Sequence, residues 1–578
     1  MELNGYQLYD YIVSGARKII INQKYLNSIN VFPVADGDTG SNLAFTMNNI
    51  IRYAERDKSA SKTLNSIAKH ALDASYGNSG TIVASYLKGL ATESTDKERL
   101  SVCELVNNLS RSVQYAYNSI ATPKEGTILT VMREWGDFLK NNYNDKFGLE
   151  MLLSSSLRYL SEVVNNTKDQ LRELREANVV DAGAKGFVYF VEGIYEFLSS
   201  GYINEEVESY DIPIEMLDLH QNINFRYCTE FDLEPNEKFK VKKVTKDMLS
   251  FGDSLIVNDR EEYYKMHVHT DDPEKVALYL RNYGKITGAK VDDMQIQYNV
   301  LNNRKSDIAL ITDSIADLPT EFIEEKQIFV MPLQMIADGE IYLDRTTITT
   351  KNTFSVLKDS DVYPTSSQPT DSYIRKTLEY LLQHYDQILG VFISSKMSGT
   401  FSKVKTIAEE ISHERIKILD SRANSGSQGL IVRQAALAIE KSADFEEVVQ
   451  LVESVIPKMK IFVEIPDLSY AVKSGRVPSI VGKVADLFNL RVIISIDKEG
   501  NGSVAKDRSL KKKIRKIVKE ESIKEYAIIH SADEETLRHY VDYATEVIGF
   551  PPIFSNNVSA VITALVGKDS IGIAYEVN

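Results

Sequence analysis

The hydrophobic period of this chain changes twice, and no single fold accommodates all three patterns. Through about residue 200, apolar residues recur three and four apart, as in the stripes Leu8, Ile12, Gly15, Ile19 and Leu153, Leu157, Leu160, Val164. That spacing lines one face of a helix. Between about 214 and 303 short alternating runs take over, such as Phe225-Arg226-Tyr227-Cys228-Thr229 and Lys265-Met266-His267-Val268-His269-Thr270, the period of a half-buried strand. After Asn302-Asn303-Arg304-Lys305 the apolar runs Ile308–Ile311, Ile328–Leu333, Ile388–Ile393 and Ile416–Leu419 alternate with helical patterns, as buried parallel strands do. The predicted architecture is multidomain: an all-α region over 1–203, a small α+β middle region over 214–303 and an α/β region over 306–578. The acidic stretch from Asn204 to Asp211, closed by Pro213, reads as a linker.

Length agrees, since 578 residues exceed what one core supports and imply two to four domains. The 67 Lys and Arg against 82 Asp and Glu leave a net charge of −15, which argues against a nucleic-acid partner because a backbone binder must present cations. A metabolite or protein partner fits better. Cys103 and Cys228 are too few for a disulfide framework, the start carries neither a basic nor an apolar leader region, and no apolar run approaches the ~20 residues of a spanning helix. The expectation is a soluble cytoplasmic protein whose membrane contact, if any, is peripheral.

The richest local signal is Asn30-Val-Phe-Pro-Val-Ala-Asp-Gly-Asp-Thr-Gly-Ser-Asn42. Two aspartates two apart on a glycine turn aim hard oxygen ligands at one point, as magnesium over a phosphate chain requires. The helical pattern Leu43, Met47, Ile50, Ile51, Ala54 follows, so Gly40, Ser41 and Asn42 fall near a helix start, where backbone N–H groups attract anions. Alone, the turn also fits a solvated loop or a calcium site. Three more segments pair small residues with polar groups: Gly77-Asn78-Ser79-Gly80, Gly126-Thr127-Ile128-Leu129-Thr130 and Asp181-Ala182-Gly183-Ala184-Lys185-Gly186. In this order the four resemble the nucleotide-binding domain of the dihydroxyacetone kinase family, as used in bacterial fatty acid kinases. The resemblance implies an all-helical ATP domain, and no P-loop signature is present. It implies two magnesium ions on Asn30, Asp36 and Asp38, and phosphate contacts from Thr39, Ser41, Asn42, Ser79 and Gly80. Thr127, Asp181 and Gly183 would line the nucleoside end. Ala184-Lys185 stands where the family more often has Gly-Gln, which bears on adenine contacts.

In the middle region His267 and His269 share a strand face, and one of the two cysteines, Cys228, lies on another run. Imidazole and thiolate suit zinc; a half-buried histidine pair and a core thiol are the alternative. The middle domain of fatty acid kinases carries a matching Cys and His-x-His, which implies that Cys228, His267 and His269 are zinc ligands or required site residues. Three protein ligands would leave a fourth position open.

Several of the later runs end in polar residues, Thr312-Asp313-Ser314, Ser394-Ser395 and Asp420-Ser421, and ligands bind beyond the carboxyl ends of such strands. For Asp313 and Asp420 the expected role is capping the helices that follow. Thr312–Pro319, Thr365-Ser366-Ser367-Gln368-Pro369-Thr370, Ser394-Ser395-Lys396-Met397-Ser398-Gly399-Thr400 and Ser474-Gly475-Arg476 together resemble the DegV family of fatty-acid-binding proteins across 306–578. The resemblance implies two α/β lobes enclosing an acyl chain, its carboxylate held by hydroxyls of the second and third motifs (Ser366, Ser367, Ser398), with Arg476 near the head group. Leu565 takes the place of a family histidine beside that carboxylate, and a leucine cannot donate a hydrogen bond. The basic run Lys511-Lys512-Lys513-Ile514-Arg515-Lys516 sits on an apolar stripe of Leu510, Ile514, Ile517 and Val518. It is expected to be a packed helix with a solvated basic face, lipid docking being secondary.

Joined, these resemblances imply a kinase that uses ATP and magnesium, with zinc in its middle region, to convert a long-chain fatty acid to an acyl phosphate for a downstream acyltransferase. Arg476, Asp36 and Asp38 are its candidate catalytic residues. Transfer within one chain or across a homodimer is open. Two alternatives stand beside it: a small-metabolite kinase of the dihydroxyacetone type regulated by a lipid-binding region, and a lipid sensor with a vestigial kinase domain.

Overall fold

The computed structural model describes residues 2–33, 37–75, 77–120, 122–144, 148–202, 224–260, 262–360, 362–442, 444–474, 492–505, 507 and 509–578. The expected linker, Asp36, Gly475 and Arg476 lie outside the described residues. The chain divides into two compact units, one of residues 1–230, 239–271 and 292–302 and the other of 231–238, 272–291 and 303–578.

Residues 5–200 of the first unit are dominated by helices from Gly5–Ile21 to Ala182–Ser200, and Glu2–Asn4 pairs with Arg99–Ser101 in a short antiparallel ribbon. Local chemistry sets the helix starts. Asn4 with Gln7, and Ser101 with Glu104, form reciprocal capping boxes. The helices Gly5–Ile21 and Ala182–Ser200 cross closely because Gly15 and Gly193 face the partner backbone. A Cβ on Gly193 would come 2.5 Å from Ser14 O, and one on Gly15 2.6 Å from Phe190 O. Gly15 in the first apolar stripe is thus a crossing point. The core closes around Trp135, Tyr86 and Phe187, whose rings meet edge to face.

The middle strands form a sheet in the order Gly252–Asp259, Tyr264–Thr270, Tyr227–Pro235, Gly284–Asp293. The strand carrying His267 and His269 therefore neighbours the strand carrying Cys228.

In the second unit a parallel sheet runs Ile416–Asp420, Gln387–Phe392, Ile308–Asp313, Phe329–Met331. The run Ile328–Leu333 yields only three strand residues. A six-stranded mixed sheet runs Gly502–Val504, Val492–Ile496, Met459–Ile465, Ile571–Val577, Ile523–His530, Phe554–Asn557. The buried helix Ser425–Lys441 touches both: Gln428 donates to Asp313 at 3.0 Å, and a Cβ on Gly426 would meet Ile529 at 2.7 Å. The expected all-α, α+β and α/β succession is what the structure shows.

Asp313 and Asp420 do not cap helices. Asp313 is fully buried and accepts from the backbone N–H of Ile393 at 2.8 Å and Ile315 at 3.0 Å as well as from Gln428, bracing two adjacent strand ends. Asp420 accepts from the N–H groups of Ser395 and Arg422. Each strand end is followed by a turn rather than a helix, so the nearest orphan donors belong to loops. The basic run forms the helix Leu510–Glu520 with Leu510, Ile514 and Ile517 buried, while Val518 falls outside the stripe and is exposed.

Candidate functional site

In the first unit, loops at four helix starts converge. The helix Thr39–Tyr53 begins after Asp38, which occupies the N-cap position without a side-chain capping bond. Thr39 donates its hydroxyl to Asn30 Oδ1 at 2.5 Å, both residues being buried. The Asn30 amide oxygen is thus tied to the first residue of this helix, one position after Asp38. Ser41 is more committed than its position suggested. Its N–H donates to Asn27 Oδ1 at 3.0 Å, and its hydroxyl accepts from Asn27 and Gln23, so this helix start has fewer open N–H groups than expected.

Glycines bring the remaining segments together. Gly77 has a φ of +61°, in the left-handed region, and a Cβ there would come 2.5 Å from Asn42 Nδ2. A Cβ on Gly80 would lie 2.9 Å from Thr46 Oγ1. One on Gly183 would lie 3.0 Å from Ser79 Oγ and 3.3 Å from Ile128 Cβ. The segments carrying Asn42, Ser79, Gly80, Gly183 and the residue after Thr127 are therefore packed against one another. Thr127 itself caps the helix Ile128–Asn142, accepting from Leu129 N and donating to Lys124 O at 2.8 Å. Asp181 caps Ala182–Ser200 through Ala184 N at 2.7 Å. Burial pushes its carboxyl up to about 7, against backbone N–H bonds from Ala184 and Ile128 that pull it down. Thr127 and Asp181 thus act first as braces that join two loops. Lys185, in the departing Ala-Lys pair, lies over the Tyr189 ring at 4.6 Å.

The middle strands bring Cys228, His267 and His269 together, with ligand atoms all within 4.8 Å of one another. Cys228 Sγ is 3.9 Å from His267 Nδ1, and the two rings stand 5.1 Å apart. Tetrahedral zinc with such ligands needs donor separations of about 3.3–3.6 Å, so the set, whose donor atoms lie within 4.8 Å of one another, has the right chemistry for zinc and would have to draw together around it. Both imidazoles are buried beside carboxylates, His267 Nδ1 3.5 Å from Glu230 Oε1 and His269 Nδ1 3.4 Å from Asp253 Oδ1. Such partners fix a metal-binding imidazole's tautomer and orientation. The interaction with His269 holds the Asp253 carboxyl below its ordinary range. Neither carboxylate was singled out in the sequence. Glu230 had a signal, since it lies two residues after Cys228 on one strand and shares its face; Asp253 becomes visible only through the antiparallel register that sets it opposite His269.

In the second unit Ser366 and Ser367 lie on a short strand paired with Met335 and Gln334. Ser398 bonds the Thr400 hydroxyl at 2.8 Å and accepts from Thr400 N. A Cβ on Gly399 would collide with Gln368 Nε2, and Lys403 reaches Pro369 O at 3.0 Å, so the two hydroxyl-bearing motifs are adjacent. Leu565 and Met397, the neighbour of Ser398, pack on one apolar cluster that includes Ile315, Ile393 and Ile562. Among the described residues no helix is long and apolar enough to cross a membrane.

Three family models match in succession: the DAK2 domain over residues 33–196, the FakA-like middle domain of fatty acid kinase over 224–301, and the uncharacterised DegV family over 307–578. An uncharacterised protein of Mycoplasma genitalium is 30% identical over 341 residues, 55% of this chain and 61% of that protein. An uncharacterised protein of Staphylococcus epidermidis is 30% identical over 319 residues, 53% of this chain and 58% of its own. The chain thus spans about three-fifths of the length of these curated relatives. Among solved structures, a fatty-acid-binding DegV family protein of Streptococcus agalactiae is 25% identical, covering 47% of this chain and 99% of its own with a TM-score of 0.42. A fatty-acid-binding DegV family protein of Thermus thermophilus is 24% identical with the same coverage and TM-score. The chain joins a DAK2 domain, a FakA-like middle domain and a DegV-family domain in one polypeptide.

Proposed function

We propose that this chain is an ATP-dependent fatty acid kinase that carries its own acyl-binding region. The observation that carries the reading is the union of the three domains, since a DAK2 domain and a FakA-like middle domain precede a DegV domain in one chain. The fatty carboxylate is already an anion at neutral pH, its ordinary pKa being about 4 to 5, and needs no general base. One carboxylate oxygen forms a bond to the γ-phosphorus while the bond to the β-phosphate oxygen breaks, giving acyl phosphate and ADP. Magnesium held by Asn30, Asp36 and Asp38 would offset the phosphate charge. The helix starts carrying Asn42, Ser79 and Gly80 would hold the phosphates in line, with Thr127 and Asp181 fixing the nucleoside loops from behind. Ser366, Ser367 and Ser398 would donate to the carboxylate, and Arg476 would stand near the transferring group. The protein would act in the cytoplasm and hand acyl phosphate to an acyltransferase. Zinc on Cys228, His267 and His269 would serve the middle domain.

The test is to purify the protein, identify co-purifying lipid by mass spectrometry, and measure ATP turnover with and without added fatty acid. Long-chain fatty acid in the protein and fatty-acid-dependent ADP release are expected. ATP turnover stimulated only by a small hydroxylated metabolite would favour the dihydroxyacetone-type kinase, and bound lipid without any turnover the sensor.

A further inference from the structure

We infer that Glu230 is a positioning residue that couples the Cys228-His267-His269 cluster to the phosphate loop, so that zinc and nucleotide strengthen each other's binding. The inference rests on the kinase reading of the first unit. It starts from one buried carboxylate that serves two neighbours. Glu230 is 3% exposed, and its Oε1 lies 3.5 Å from His267 Nδ1 and accepts the backbone N–H of Gly77 at 3.0 Å. Its Oε2 lies 3.3 Å from Lys265 Nζ.

Gly77 opens the helix Gly77–Glu93 and presses on the amide of Asn42. A carboxylate on the first N–H of that helix is favoured by the helix dipole, and it fixes the first helical turn, Gly77 through Gly80. The same middle-region residues grip the loop elsewhere. Arg260 Nη2 donates to Ser75 Oγ at 2.8 Å, Lys265 Nζ to Ser75 O at 2.9 Å, and Asn258 Nδ2 to Ser85 Oγ at 2.9 Å. Among these described contacts, Glu230 is the one whose own side chain also meets a candidate metal ligand.

The physical route is short. His267 turns Nδ1 to Glu230, so a metal would be held through Nε2, which makes the Nδ1–H a stronger donor and restrains the carboxylate facing it. A restrained Glu230 holds Gly77 N–H and the backbone beyond it in one arrangement, reducing the ordering that bound phosphate must impose. Because coupling between two binding sites is reciprocal, nucleotide must raise zinc affinity by the same factor that zinc raises nucleotide affinity.

The experiment measures both arms on the full chain. AMP-PNP with excess magnesium is titrated by calorimetry into zinc-loaded and zinc-stripped protein, and zinc affinity is measured by chelator competition with and without AMP-PNP. A factor of about five or more in both arms is expected, falling to one in Glu230→Ala and to an intermediate value in Glu230→Gln, which keeps an acceptor for Gly77 but loses the charge. Thermal unfolding checks that each variant is folded. With cobalt(II) in place of zinc, AMP-PNP should shift the visible spectrum of the wild type and leave that of Glu230→Ala unchanged. A Glu230 that is merely structural would lower both affinities while the factor survives, and that outcome overturns the coupling. So does a factor of one in the wild type. If the wild type binds AMP-PNP and zinc independently, the coupling alone falls; if it binds no AMP-PNP, the kinase reading falls with it.

Discussion

In the first unit the groups expected to meet the nucleotide are the same groups that hold the loops together. Thr127 and Asp181 cap helices, Ser41 is bonded by Asn27 and Gln23, a Cβ on Gly77 or Gly80 would collide with its neighbours, and one on Gly183 would crowd Ser79. In the second unit the groups expected to meet a ligand and the buried acids that hold the fold are different residues. The hydroxyls of Ser366 and Ser398 lie on short segments, whereas Asp313, Asp317 and Asp344 are buried beneath the strand ends and tie distant segments. Asp317 takes Arg345, the Ser425 hydroxyl and the N–H of Ser559, and Asp344 takes the Ser314 hydroxyl and the N–H of Ala560. Where site and scaffold coincide, most substitutions should damage both; where they are separate, binding and stability should come apart.

Asp38 is the exception that sharpens this comparison, since it makes no helix-capping bond. Asp38→Ala should lower ATP turnover about a thousandfold or more through loss of the carboxylate proposed to hold magnesium, with little change in melting temperature and with fatty acid still found by mass spectrometry. A variant that loses its lipid would break the separation. Asp317→Ala should do the reverse in kind, costing about 3–5 kcal/mol in urea unfolding because Arg345 is left without its buried partner. Unchanged stability would mean that the buried carboxylates are not the scaffold of the second unit.

The pH response follows from the same burial. Desolvation raises Asp313 to about 6 against the pull of its N–H donors. A raised folded value means that the group's contribution to stability is fully present below the unfolded value of about 3.9 and is lost as pH climbs through about 6. Relative to Asp313→Asn, the wild type should therefore lose up to about 3 kcal/mol of unfolding free energy between pH 4 and pH 8. A pH-independent difference between the two would show that the donors cancel the burial, and a wild type that gains stability with rising pH would show that they outweigh it.

The smallest effect is expected at the hydroxyls. Ser398→Ala should weaken fatty acid binding by about 1–3 kcal/mol, the cost of one hydrogen bond to a charged group, and lower unfolding free energy by only about 1 kcal/mol through the lost bonds to Thr400. Leu565→His should strengthen binding or raise acyl phosphate formation by adding a donor near the head group. Wild-type affinity in Ser398→Ala for every fatty acid tested would remove the carboxylate from these loops.

Periodicity alone determined the three-part architecture, because a helix repeats every 3.6 residues and a strand every two wherever one face is buried. It also put His267 and His269 on one face, and the pattern around Asn30–Asn42 announced the helix start at Thr39. Strand order was not legible. That Cys228 stands beside the histidines, and that Asp253 lies opposite His269, depends on which strands pair, and pairing is set by contacts remote in sequence. For the same reason Asp313 and Asp420 read as helix caps from their neighbours but serve loops brought in by the fold. Short-range patterns fix what each segment becomes. The tertiary structure decides which buried carboxylate meets which donor, because a group removed from water must take its partner from whatever the packing places beside it.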